Sequence, residues 1–193
     1  MSYLDEMEIY ARANKIPVIL RDTREYLENL CREIKPKRIL EIGMAIGYSA
    51  SCMLLSSEAD IVECEASIPN IQLAKVNFDI LGLTHRVTIV EGDCMNTLPS
   101  VEGKFDLIFL DGPKGKYPEI LPLVLPKLSK TGVLVCDNVL FRGMVLDGEP
   151  LQWPRFERTV IALREFIQML QNNDELDTQI LHIGDGLAVA RYK

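Results

Sequence analysis

The stretch ILEIGMAIGYSA, residues 39–50, decides the fold of this chain. Its first four residues have the composition of a buried strand, Gly43 and Gly47 open a turn, and YSA starts a helix. Glycine at the C-terminal end of a buried strand lets backbone pass close to a ligand. The spacing is GxxxG rather than the GxGxxG that cradles a pyrophosphate, so a nicotinamide dinucleotide fits poorly.

Around this unit, short apolar runs alternate with helical periods. RILEI (38–42), DIVEC (60–64), RVTIV (86–90), FDLIFL (105–110) and GVLVC (132–136) read as five strands, with helices expected over 48–56, 68–81, 118–128 and 155–171. That alternation predicts an α/β chain whose parallel sheet carries helices on both faces. QILHI (179–183) and the strand ending in AVARY are joined only through Gly184, Asp185 and Gly186, too short a link for a parallel crossover. The expected architecture is a seven-stranded, mostly parallel sheet with an antiparallel C-terminal hairpin at one edge. Ahead of the first strand, helical patterns over 4–13 and 21–34, separated by Pro17, form a cap spanning about residues 1–35 of a single domain, 1–193. With 193 residues and 48% hydrophobic content, the chain can bury one full core.

A formal charge of −7 gives no global attraction for nucleic acid or an anionic membrane, so a polyanionic substrate needs a local basic patch. The N-terminus is acidic where a secretory leader is basic, and no apolar run reaches the roughly 20 residues of a membrane span. A cytoplasmic protein is expected. Cys31, Cys52, Cys64, Cys94 and Cys136 stand singly, without zinc spacing, and read as reduced, mostly buried thiols. His85 and His182 read as structural, since neither falls at a predicted C-terminal strand end.

Acidic residues close the strands where an open α/β sheet binds ligands. Glu65, about twenty residues beyond the glycine turn, can accept bonds from both hydroxyls of a ribose; Asp93, in EGDC, sits at the adenine end, and Glu41 can face a positive group. A nucleoside held by carboxylates with no phosphate cradle suits S-adenosyl-L-methionine, which carries a cationic sulfonium and no phosphate. Asp111 follows the fourth strand, and Asp137 and Asn138 follow the fifth. Two carboxylates and an amide oxygen are hard ligands that favour Mg2+ and permit Mn2+ or Ca2+. A bound cation lowers the pKa of an acceptor hydroxyl, the step that makes an oxygen nucleophilic toward a sulfonium methyl. Lys114, in DGPKGKY, is placed to take the proton; Tyr117 is expected to wall the pocket or position the substrate.

ILEIGMAIGYSA, Glu65, Gly92–Asp93, FLDGPKGKY, CDNVLFRGMV and IGDGLAVARY resemble, over nearly the whole chain, the bacterial branch of the catechol and caffeoyl-CoA type O-methyltransferases, family 3 of the metal- and S-adenosylmethionine-dependent enzymes. That resemblance implies a Rossmann-like methyltransferase fold and a homodimer. By position it implies metal ligands at Asp111, Asp137 and Asn138, and cofactor contacts at Glu41, Gly43, Gly47, Ser49, Glu65, Asp93 and Asp111. Within the branch the likeness is greatest to the tRNA 5-hydroxyuridine methyltransferases of Gram-positive bacteria, through AIGYSA, DNVLF with its following basic residue and glycine, and GDGLA. One departure lies after Asp111, where relatives usually carry two alanines before the lysine and this chain carries Gly112 and Pro113.

A catechol and a 5-hydroxyuridine each offer two adjacent oxygens that can chelate one metal. The first expectation is therefore methylation of 5-hydroxyuridine at the tRNA wobble position to 5-methoxyuridine, and the alternative is a small catechol-like acceptor. Lys114, Lys116, Arg142, Arg155 and Arg158 near the predicted mouth suit a phosphate backbone, with Arg142 as a substrate contact. A non-catalytic nucleoside-binding protein on the same fold is the remaining class, disfavoured by Asp111, Lys114, Asp137 and Asn138 being present together.

Overall fold

The computed structural model describes residues 2–146 and 153–193. Helix α1 (Tyr3–Ala13) starts at a capping box: the Ser2 hydroxyl accepts from the Asp5 amide and the Asp5 carboxylate accepts from the Ser2 amide. Helix α2 (Arg21–Ile34) stops where Lys35 turns left-handed. Strand β1 (Arg38–Ile42) leads into α3 (Tyr48–Leu55), β2 (Asp60–Glu65) into α4 (Ile68–Ile80), and β3 (Val87–Glu91) into the single turn α5 (Cys94–Thr97). Then come β4 (Phe105–Leu110), α6 (Tyr117–Val124), β5 (Leu128–Cys136), α7 (Glu157–Gln171), β6 (Leu176–Leu181) and β7 (Leu187–Tyr192).

The strands form one sheet in the order β3-β2-β1-β4-β5-β7-β6. Pairings among the first five are parallel; β7 runs antiparallel between β5 and β6, the expected hairpin. The chain steps from β1 outward to β2 and β3, then returns to the other side of β1 as β4. This reversal leaves a crevice at the C-terminal ends of β1 and β4, the place where open α/β sheets bind ligands.

Side chains alternate across the strands and so divide the core in two. On one face Ile39, Leu107, Phe109 and Val135 pack under Leu27, Met53 and Phe78 of α2, α3 and α4. On the other, Leu40, Ile42, Ile108 and Leu134 pack under Ile120, Phe166 and Leu170 of α6 and α7. All five cysteines are free and buried, as expected, and among the described residues no helix is long and apolar enough to cross a membrane.

Three elements differ from expectation by three residues or more at one end. Strand β5 begins at Leu128 instead of 132: Leu128 pairs with Phe105, and a register shift separates that pair from the Leu107–Val133 pair beyond the polar Ser129–Thr131. Strand β6 lies at Leu176–Leu181 rather than 179–183, because its register with β7 is set from Leu176 opposite Tyr192. His182 and Ile183 instead enter the turn, where the Gly186 amide donates to the Ile183 carbonyl. Helix α6 ends at Val124 rather than 128, its last residues winding into a 3-10 turn, Leu125–Lys127, that contains Pro126.

Candidate active site

The crevice is a cavity of about 1060 Å³, and strand-end residues form its floor. Gly43 follows β1 with φ +100°, and a Cβ there would come within 2.5 Å of the Asp111 carbonyl oxygen. Only glycine therefore lets the β1 and β4 ends meet beneath the pocket. Glu65 closes β2 and binds the turn from below: Oε2 accepts from the Ala45 amide at 2.9 Å, while Oε1 accepts from Ala66 and Ser67. Those three bonds fix a carboxylate that still lines the cavity, with one of its roughly four acceptor sites left, on Oε2, for a ribose hydroxyl. Asp93 lines it too; its side chain also caps α5 by accepting from the Met95 amide.

At the other end, Leu110 of β4 pairs with Cys136 of β5, so Asp111 and Asp137 leave neighbouring strands side by side. The Lys114 ammonium donates to Asp111 Oδ1. Asp137 is 1% exposed, and its Oδ1 accepts from the Asn138 amide. Burial, then the charge of Asp111, pushes the Asp137 carboxyl up to about 7. Asn138 adopts φ 58°, at the left-handed turn where the chain leaves the sheet. Among the described residues no group of three His, Cys, Asp or Glu side chains is disposed to hold a metal ion, so the candidate trio depends on Asn138 for its third donor. The electrostatics suit a hard divalent cation: two carboxylates are crowded at a buried strand end with a single ammonium between them and solvent.

Not every residue picked out from sequence reaches the cavity. Gly43, Glu65, Asp93, Asp111, Lys114, Asp137, Asn138 and Arg142 line it. Gly47, Ser49, Glu41 and Tyr117 do not. Gly47, left-handed at φ 76°, opens α3 beneath the Phe78 ring, where a Cβ would meet ring carbon at 2.5 Å. Glu41 is wholly buried on the face of β1 covered by α3, and the Ser49 hydroxyl, 6% exposed, turns inward to donate to it. Ser49 and Glu41 thus form a layer behind the turn.

Tyr117 corrects the expectation of a pocket wall. It is fully buried, stacked edge-on to Phe166 at 5.1 Å, and its hydroxyl donates to the carbonyls of Leu110 and Asp137 at 2.9 and 3.1 Å. Its role is to tie together the two strand ends that carry the acidic residues. The signal for this was present in the sequence: Tyr117, Ile120, Leu121 and Val124 fall on one helical stripe, and all four are buried.

Other residues of the mouth were not anticipated. Val18 and Leu20, between α1 and α2, line one side; Phe141, Phe156 and Thr159 line the other. Phe141 and Phe156 meet edge-to-face at 5.3 Å, Trp153 packs edge-on to Phe156, and the Arg142 guanidinium lies over Trp153. An aromatic beside each basic residue, Phe141–Arg142 and Arg155–Phe156, was the available sequence cue. The Arg142 amide donates to Asp185 in the β6–β7 turn, and the Gly184 amide donates to Asp22 of α2, so hairpin and helical cap share one rim. Of the remaining basic candidates, Lys116 is paired with Glu119, and Arg155 lies against Phe156.

A family model described as O-methyltransferase matches residues 2–193. The chain is 34% identical over 181 residues to a catechol O-methyltransferase of Niastella koreensis, covering 88% of this chain and 79% of that protein. It is 26% identical over 181 residues to caffeoyl-CoA O-methyltransferase 1 of Zea mays, covering 88% and 69%. Its fold superimposes on a methyltransferase of Podospora anserina solved with SAH bound, at TM-score 0.91 and 31% identity, over 100% of this chain and 88% of that one.

Proposed function

Because the chain belongs to the O-methyltransferase family, we propose that it moves the methyl group of S-adenosylmethionine to an oxygen that has a second, chelating oxygen beside it. The observation that carries this reading is the cavity itself, whose floor runs from Gly43, Glu65 and Asp93 to Asp111, Lys114, Asp137 and Asn138. A nucleoside sulfonium with a divalent cation supplies a transferable methyl and a charge that acidifies the acceptor hydroxyl.

Within that arrangement, Glu65 accepts from a ribose hydroxyl through Oε2 and Asp93 meets the adenine end. Asp111, Asp137 and Asn138 present oxygens to the cation, Mg2+ by the hardness of the set, with Mn2+ or Ca2+ permitted. Asn138 supplies a neutral third donor, so the site is not overloaded with negative charge. Lys114, held on Asp111 as an ammonium until the site fills, would give one proton to solvent as the charge of a neighbouring divalent cation disfavours its charged form, and the neutral amine would then take the acceptor proton on Nζ; Asp111 both orients that amine and would contribute to the metal set. Ser49, Glu41 and Gly47 support the turn from behind.

The favoured acceptor is 5-hydroxyuridine at the wobble position of tRNA. The mouth supports it: Phe141 and Phe156 offer apolar ring surface to a base, and Arg142 lies at the rim within reach of a phosphate backbone. A free catechol is the second reading, favoured by the likeness to catechol O-methyltransferases. A homodimer and a cytoplasmic setting belong to the same proposal. The test incubates the protein with labelled S-adenosylmethionine and Mg2+, with tRNA bearing 5-hydroxyuridine or with catechol, and repeats each arm with chelator. Label on the tRNA, lost with chelator, is expected. Label on catechol alone overturns the RNA acceptor, and label on neither overturns the methyl-transfer reading as stated.

A further inference from the structure

Behind the cofactor end of the cavity lies a pair of acids. Glu41 of β1 and Glu63 of β2 sit directly opposite each other in parallel register, side chains on the same face of the sheet. Both are 0% exposed, inside the apolar layer that Ile39, Cys52, Ile61 and Phe109 form with α3 and α4. Among the described residues, Ser49 is the one hydroxyl donor to the pair, and it reaches only Glu41 Oε1; Glu41 Oε2 and both Glu63 oxygens accept from no described protein group. Two ionised carboxylates in that position leave three acceptors unpaired and two like charges adjacent. A proton on each removes both costs, since a carboxylic acid donates to its neighbour.

The groups facing the pair reinforce this. On β2 they are Cys64 and Glu65, and at the end of β4 Asp111; on α3 they are Ser49 and Cys52. On α2, Arg24 donates to Glu28 and to the Tyr48 hydroxyl, which in turn donates to Glu8 of α1, so its charge is engaged before it reaches the acids. Burial raises the Glu41 carboxyl to about 8, and burial together with Glu41 holds that of Glu63 well above its ordinary range.

We propose that Glu41 and Glu63 form a charge-sensing pair that is neutral under an empty pocket and gives up one proton when a cation occupies the adjoining Gly43 turn, so that the site favours sulfonium S-adenosylmethionine over neutral S-adenosylhomocysteine. The proposal rests on the S-adenosylmethionine reading above and adds a residue, Glu63, that touches neither donor nor acceptor. The Glu41 carboxyl feels the charges of Asp111 and Glu65, both of which line the cavity, so a sulfonium held between those two residues acts on its anion across the same low-dielectric layer. One O–H bond breaks, the proton passes to solvent, and the remaining proton stays between the two carboxyls. Once the methyl has left, the charge that held the anion is gone and the pair takes its proton back, which weakens the hold on the demethylated product.

Calorimetric titration in buffers of different ionisation enthalpy counts the protons released as each ligand binds. Near pH 7 the wild type is expected to release close to one proton more with S-adenosylmethionine, relative to S-adenosylhomocysteine, than does Glu63→Gln. In the variant the amide donates to Glu41 and leaves it ionised beforehand. Each ligand's own amino group titrates alike against both proteins and cancels. Between pH 6 and 8 the affinity ratio of the two ligands should climb by up to about tenfold per pH unit more in the wild type, the limit for one linked proton. Infrared difference spectra of the wild type alone should show a buried carboxylic-acid band lost on adding S-adenosylmethionine and kept on adding S-adenosylhomocysteine, so the idea stays exposed even where the variant does not fold. Equal proton counts in wild type and variant, or a band indifferent to the ligand, overturn the charge-sensing pair. Failure of the wild type to bind either ligand overturns the cofactor reading instead.

Discussion

Lys114 and Tyr117 stand three residues apart and do opposite kinds of work. Lys114 touches Asp111 inside the cavity, whereas Tyr117 is fully buried, with the Lys114 ammonium 5.7 Å from the centre of its ring. Replacing the proposed base, Lys114→Ala, is expected to lower kcat by about 10²–10⁴-fold, the usual range for general-base loss, with S-adenosylmethionine affinity changed little. Steady-state kinetics beside a binding titration checks this, and unchanged turnover removes the base from the scheme. Tyr117→Phe deletes one hydroxyl that bonds two buried carbonyls, which costs about 1–3 kcal/mol of stability. Its denaturation midpoint should fall while KM for the acceptor holds. The place of the strand-end acids at the cavity was legible because acids that follow apolar runs fall at the C-terminal edge of a parallel sheet, where the reversal of strand order opens the crevice. Tyr117 was misread because its nearness in sequence to Asp111 outweighed the helical stripe it belongs to.

At the scale of elements, the β1 turn carries the tightest constraint. Gly43→Ala forces a side chain into a positive-φ position and against the Asp111 carbonyl at 2.5 Å. The left-handed conformation alone costs about 1–2 kcal/mol, and the overlap drives the β1 and β4 ends apart. A lowered Tm together with weakened cofactor binding is expected, and retention of both in thermal melts and titrations counts against the turn as the organiser of the site. The central parallel strands β1 and β4 were readable because strands buried on both faces are continuous apolar runs, whereas the half-buried edge strand β3 was readable from its β-branched residues, VTIV. Strand β6 was displaced by three residues because an edge strand has one neighbour and its half-polar sequence, LDTQIL, carries little apolar signal. The four-residue α5 spans scarcely one turn and has no period to detect; its only mark was Asp93 as a cap.

For the molecule as a whole, the buried acids set a pH dependence of stability. Glu41 in the native protein keeps its proton to about pH 8, whereas an unfolded glutamate releases it near 4.5. Between those values the native state binds more protons than the unfolded chain, so stability is greatest below about 4.5, as far as this pair contributes, and declines as pH rises toward 8. Urea midpoints at pH 5.5 and 8 should fall in that order, and Glu63→Gln should shrink the difference. A slope unchanged in the variant assigns the effect to other groups. Asp137 acts in the same direction, its carboxyl raised to about 7, so Mg2+ should raise the midpoint most at high pH, where its oxygens are free to bind the ion. These acids were invisible as a pair in sequence: Glu41 and Glu63 are separated by α3 and become neighbours only through the β1–β2 register.

The bond from Gly184 to Asp22 spans 162 positions and, with the Asp185 contact to Arg142, closes the rim of the cavity. Its consequence concerns synthesis on the ribosome. Residues 18 and 20 emerge early and 184–185 late, so a nascent chain carries the floor of the site without its rim until the hairpin has left the exit tunnel. Closure of the rim is thereby deferred until the hairpin folds back onto α2, after the strand ends that form the floor have emerged.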